Sequence, residues 1–106
     1  MRLIPVHDLK EKLDKGEEVL IVDMRDPEDY EFCHIAGSIN VTRKDFDAFI
    51  PKVPHDIPVV FICKYGKKSE QVVVTLRNEH AHKNVYSLLG GLWEWAKEID
   101  PSMIVW

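Results

Sequence analysis

A chain of 106 residues suits one hydrophobic core, and 45% hydrophobic with 30% charged residues is the balance of an ordinary folded protein, not a disordered one. The formal net charge of −4 gives no general attraction for nucleic acid or an anionic membrane, and no apolar run nears the roughly 20 residues of a membrane span. Two cysteines are too few for a disulfide framework, and with five scattered histidines they offer no metal-ligand spacing, so no metal is expected.

Residues 1–10 lack the apolar centre of a signal peptide, so a cytoplasmic location is expected. No repeat, low-complexity tract or flexible linker interrupts the sequence, and residues 1–106 are expected to form a single domain. Leu3-Ile4 reads as a short strand. Val6, Leu9 and Leu13 then share one face of a helix over 6–13, which Lys15-Gly16 stops. V-L-I-V-D at 19–23 is a continuous apolar run ending in an acid, the pattern of a strand buried on both faces of a parallel sheet.

Asp26 is placed as the N-cap of a short helix, with Pro27 at its first position and Glu28 and Asp29 in its first turn. Ala36-Gly37-Ser38 turns the chain into a brief strand over 39–41. Phe46, Phe49 and Ile50 have helical spacing within 43–50, and the prolines at 51, 54 and 58 make the next stretch a loop.

V-V-F-I at 59–62 is a second apolar run, rich in β-branched residues, and it ends directly at Cys63. Val72-Val73-Val74-Thr75 favours a strand by propensity. Residues 69–80 are nevertheless expected to be helical, because a parallel neighbour at 85–88 requires a crossover. Gly90-Gly91 leads into a last helix over 92–99. The alternation predicts an α/β fold with a mainly parallel sheet of about five strands flanked by helices.

The segment C-K-Y-G-K-K-S, Cys63 to Ser69, joins the apolar strand to the following helix. The carboxyl end of a central parallel strand is where open α/β sheets place ligands. Gly66 allows a tight turn whose N–H groups point inward, and the helix start adds partial positive charge. Lys64, Lys67 and Lys68 add three cations. Together they favour thiolate over thiol at Cys63 and attract an anionic partner. The bland alternative is a buried cysteine beside three solvated lysines, but such a run packs poorly and cradles an anion well.

These residues resemble the rhodanese family, whose active loop runs from a cysteine at a strand end through a six-residue turn into a helix. Lys64 and Lys68 stand where the family often carries arginine, which keeps the charge and loses bidentate donation. V-D-M-R-D-P-E-D-Y-E-F-C-H-I-A-G-S-I-N is similar to the family's first signature. Within it Asp23 and Arg25 are read as structural support, with Arg25 pairing with Asp29 or a nearby acid, and Gly37 as a bend. L-L-G-G-L-W-E-W-A-K-E-I-D-P is similar to the second signature, in which Trp93 and Trp95 cannot share a face: one belongs to the core and the other to a rim. I-D-P-S-M-I-V-W resembles the end of rhodanese domains attached to ubiquitin-activating-like enzymes that load sulfur carrier proteins, with Trp106 where tyrosine is common.

The resemblance implies a rhodanese-like domain and a sulfurtransferase in which Cys63 takes sulfur from thiosulfate or a protein persulfide. The terminal sulfur would sit among the N–H groups of Tyr65, Gly66, Lys67, Lys68 and Ser69, with the Ser69 hydroxyl as a further donor. The acceptor would be cyanide in an assay, or another thiol, a sulfur carrier protein or its activating enzyme. No metal or organic cofactor is implied. Two alternatives stand: a non-catalytic rhodanese-like interaction module, and a cysteine-dependent phosphatase or arsenate reductase. Phosphatases of that kind have a longer loop closed by arginine, and none occurs between Cys63 and Ser69. Cys33 is a candidate to resolve the persulfide as a disulfide, although a buried or neutral role fits its place in the first signature.

Overall fold

The structure is a computed structural model that describes residues 2–106. Five strands alternate with helices: β1 Leu3–Ile4, α1 Val6–Asp14, β2 Leu20–Asp23, α2 Pro27–Phe32, β3 Ile39–Asn40, α3 Phe46–Phe49, β4 Val59–Ile62, α4 Lys67–Glu79, β5 Val85–Leu88 and α5 Gly91–Glu98. The sheet order is β1-β5-β4-β2-β3, and every pairing is parallel.

Period-two alternation divides the core between the two faces of this sheet. Val60 and Ile62 of β4 join Ile4, Leu9, Leu92 and Trp95 under α1 and α5. Val59 and Phe61 face the other way, with Phe46, Val72, Val73 and Leu76 from α3 and α4. All four β4 residues are therefore buried, which is why the run is apolar without a break.

Three local expectations change. The helix expected over 43–50 is broken into a 3-10 turn Arg43–Asp45, the short α3 and a second 3-10 turn Ile50–Lys52 that takes in Pro51. Only Phe46 of α3 is buried, so too little packing holds a longer helix together. Helix α4 begins at Lys67, two residues before the expected Ser69, because Gly66 caps it in a left-handed conformation at φ 94°. Its β-branched run stays helical because Val72 and Val73 pack on the sheet, and burial outweighs propensity. Asp26 does occupy the N-cap of α2, but its side chain makes no capping hydrogen bond.

The connections from β2 and β4 leave in opposite directions, β2 to the edge strand β3 and β4 to β5 on its other side. Their adjacent carboxyl ends thus form the crevice at which such sheets bind ligands. Cys63 follows one of these ends, and Met24 and Arg25 follow the other.

Candidate active site

The turn after β4 closes tightly over its own cysteine. Cys63 is 7% exposed, and its Sγ accepts hydrogen bonds from the Gly66 N–H at 3.0 Å and the Ser69 N–H at 3.4 Å. The Ser69 hydroxyl lies 3.4 Å from the same sulfur. Both amides belong to the start of α4, so loop geometry and helix polarity bring positive ends of dipoles to one atom.

Two glycines make this turn possible. A Cβ on Gly66 would stand 3.0 Å from the Leu88 carbonyl oxygen, and one on Gly91 would stand 2.6 Å from that of Cys63. The Leu92 and Trp93 amides donate to the Cys63 and Lys64 carbonyls at 2.9 and 3.0 Å. The Gly-Gly turn before α5 therefore braces the cysteine loop from behind.

The expected site residues divide into two groups. Cys63, Gly66 and Ser69 gather at the sulfur and are buried, whereas Tyr65, Lys67 and Lys68 are exposed and Lys64 is half-buried. Those four line a cavity of about 830 Å³ together with Cys63, and Met24, Arg25, Arg43, Lys44 and Trp106 also reach it. The Lys64 ammonium sits 5.2 Å from the Tyr65 ring centroid, and Tyr65 meets Trp93 at 5.8 Å. Trp93 is exposed at this rim and Trp95 is in the core, as their spacing requires.

Across the crevice, Arg25 pairs with Asp23, not Asp29. Its Nε and Nη2 donate to the Asp23 carboxylate at 3.0 and 2.8 Å, and Nη2 also donates to the Cys33 carbonyl at 2.6 Å. Burial opposes the Arg25 charge, but the hydrogen bonds and Coulomb attraction of Asp23 outweigh it and leave the guanidinium above its ordinary pKa. Asp29 lies on α2 at the cavity wall. Cys33 is half-buried with its thiol donating to the Ile104 carbonyl at 2.9 Å.

Sequence reasoning missed Ser87 of β5, whose hydroxyl is 2.7 Å from that of Ser69. The signal was present: a serine inside a strand whose neighbours are apolar must find a partner when buried. It also missed Arg43 and Lys44, whose distance in sequence from Cys63 hides that they line the same cavity.

An all-parallel α/β sheet with a cysteine held in a tight turn at its switch point defines a class of cysteine-loop proteins. Within that class the chain belongs to the rhodanese-like domain family, whose model matches residues 5–98. It is 34% identical over 92 residues to thiosulfate sulfurtransferase GlpE of Pseudoalteromonas translucida, covering 87% of this chain and 86% of that protein. It is 28% identical over 105 residues to the probable adenylyltransferase/sulfurtransferase MoeZ of Mycobacterium tuberculosis, covering 97% of this chain but only 26% of that protein. A rhodanese-related protein of Thermoplasma volcanium matches with a TM-score of 0.81 at 26% identity, over 93% of this chain and 94% of that one. Family and relatives support sulfurtransferase activity in general. Among the described residues, no helix is long and apolar enough to cross a membrane.

Proposed function

We propose that residues 1–106 act as one rhodanese-type sulfurtransferase unit that carries sulfane sulfur on Cys63. The observation that carries this reading is the pair of amides aimed at one buried sulfur, at 3.0 and 3.4 Å. Such donors stabilise a negative sulfur and leave it facing a cavity lined by Lys64, Lys67 and Lys68.

In the proposed cycle the Cys63 thiolate attacks the outer sulfur of thiosulfate. The S–S bond of the donor breaks, sulfite leaves with the bonding pair, and Cys63 holds a persulfide whose outer sulfur carries the charge. An acceptor then attacks that outer sulfur. Cyanide leaves as thiocyanate, and the Cys63 thiolate is regenerated. No proton changes hands in either step, so no general base is needed.

The cavity, at about 830 Å³, is far roomier than a thiosulfate ion requires. That room favours a protein persulfide as donor, and a sulfur carrier protein or its activating enzyme as partner, and one relative, MoeZ, is itself a probable adenylyltransferase/sulfurtransferase. Free thiols at Cys33 and Cys63 suit a reducing cytoplasm. Turnover of thiosulfate and cyanide to thiocyanate tests the reading: the parent should show it and Cys63→Ala should not. A folded parent with no turnover, from thiosulfate or from a protein persulfide, would leave only a binding module.

A further inference from the structure

Ser69 and Ser87 are both fully buried, and their hydroxyls lie 2.7 Å apart. Ser69 Oγ is 3.4 Å from Cys63 Sγ and 3.2 Å from the Gly66 carbonyl oxygen. Ser87 Oγ is 3.3 Å from that same carbonyl, which also accepts the Glu70 N–H at 3.1 Å. Two hydroxyl protons thus have three acceptors to serve: the other hydroxyl, the carbonyl and the sulfur.

We infer that Ser87 is a positioning residue for Cys63, acting through Ser69. It rests on the reading of Cys63 as an ionisable nucleophile. When Cys63 is a thiol, its S–H donates to Ser69, Ser69 donates to Ser87, and Ser87 donates to the Gly66 carbonyl. When the thiol proton leaves through the cavity to solvent, both hydroxyls turn round. Ser87 then donates to Ser69, Ser69 donates to the charged sulfur, and the Gly66 carbonyl keeps the Glu70 amide. Each state is fully hydrogen-bonded, as buried polar groups demand, and a donor that is itself receiving a hydrogen bond is the stronger one.

Without Ser87 the two states are no longer matched. The Ser69 hydroxyl would receive no hydrogen bond of its own in the ionised state, and the Gly66 carbonyl, 3.2 Å away, would compete with the sulfur for its proton. Ser87 is not among the residues that line the cavity, so it acts on Cys63 and not on substrate.

Charged groups around the sulfur form a constant background to this comparison. Lys64, Lys67 and Lys68 come from the loop and α4, and Arg43, Lys44 and Asp45 of the 3-10 turn before α3 line the same cavity. Asp26 and Asp29 stand beside the paired Arg25 on the β2 side. All remain in place when a serine is replaced.

The test is the pH dependence of Cys63 alkylation by iodoacetamide, followed on the Cys63 peptide so that Cys33 does not interfere, in the parent, Ser87→Ala, Ser69→Ala and the double variant. Ser87→Ala should move the half-maximal point to higher pH and slow alkylation at neutral pH by about threefold to tenfold, the worth of one buried hydrogen bond. In the Ser69→Ala background it should change nothing further. An unmoved curve, or the same shift in both backgrounds, overturns the inference. Because alkylation needs no sulfur donor, a shifted curve in a protein that never forms a persulfide would uphold the Ser87 role and sink the transfer reading alone.

Discussion

The turns after β2 and β4 occupy equivalent places, side by side at the carboxyl ends of adjacent parallel strands, and they use polar residues in opposite ways. After β2, Arg25 Nε and Nη2 are taken up by the Asp23 carboxylate at 2.8 to 3.1 Å, with the Asp23 and Arg25 side chains 1% and 4% exposed and, among the described residues, only Arg25 Nη1 of this pair left without a partner. After β4, two amides converge on the Cys63 sulfur, in front of an open cavity. An ion pair holds the first turn in shape; amides gathered on one sulfur, on the proposed reading, give charge a place to form.

That contrast can be broken by exchanging which property is lost. Cys63→Ala should abolish sulfur transfer and lower the chemical denaturation midpoint only by the worth of two weak sulfur-accepted hydrogen bonds, about 1–2 kcal/mol. Arg25→Ala should do the reverse. Removing one partner strands the buried Asp23 carboxylate at a cost of about 3–5 kcal/mol, read from urea unfolding, while the folded fraction still accepts sulfur on Cys63. If Arg25→Ala lost transfer at full stability, the β2 turn would belong to the reacting site.

Gly66→Ala should show both losses together. The residue sits at φ 94°, and its Cβ would meet the Leu88 carbonyl at 3.0 Å, so about 1–3 kcal/mol of stability should go. Alkylation of Cys63 should slow as well, because the Gly66 amide is one of the sulfur's two backbone donors. Normal alkylation in a destabilised Gly66→Ala protein would separate the loop's geometry from its chemistry.

The smallest expected effect lies away from both turns and serves as their control. Burial, and then repulsion from His55 and His80, hold His82 below its ordinary value of 6.5. Its ring stacks on His55 at 3.8 Å. The unfolded chain therefore takes up this proton first as pH falls, so the stability His82 contributes is present above pH 6.5 and is lost on acidification through the window just below it. His82→Gln should flatten unfolding free energy against pH in that window and leave alkylation of Cys63 untouched; an unchanged slope would contradict the assignment.

Much of this is legible in the sequence. The runs at 19–23 and 59–62 announced strands buried on both faces, and the contiguous Cys63 to Ser69 loop named its own residues, because short-range turns bring neighbours in sequence to one atom. What stayed hidden came from long range. Ser87 meets Ser69 only because β5 lies beside β4, and Arg43, Lys44 and Trp106 reach the cavity through packing that no local period encodes. The broken helix around α3 has the same origin: Phe46, Phe49 and Ile50 have the right spacing, yet only Phe46 is buried, while Phe49 and Ile50 pack half-buried at the edge of the core.

The most direct measurement is intact mass after the reduced protein is mixed with thiosulfate and the reductant removed, followed by mapping of the modified peptide. A gain of one sulfur atom, located on Cys63 and reversed by cyanide, is the predicted result. No gain, or a sulfur found on Cys33 instead, would contradict the account.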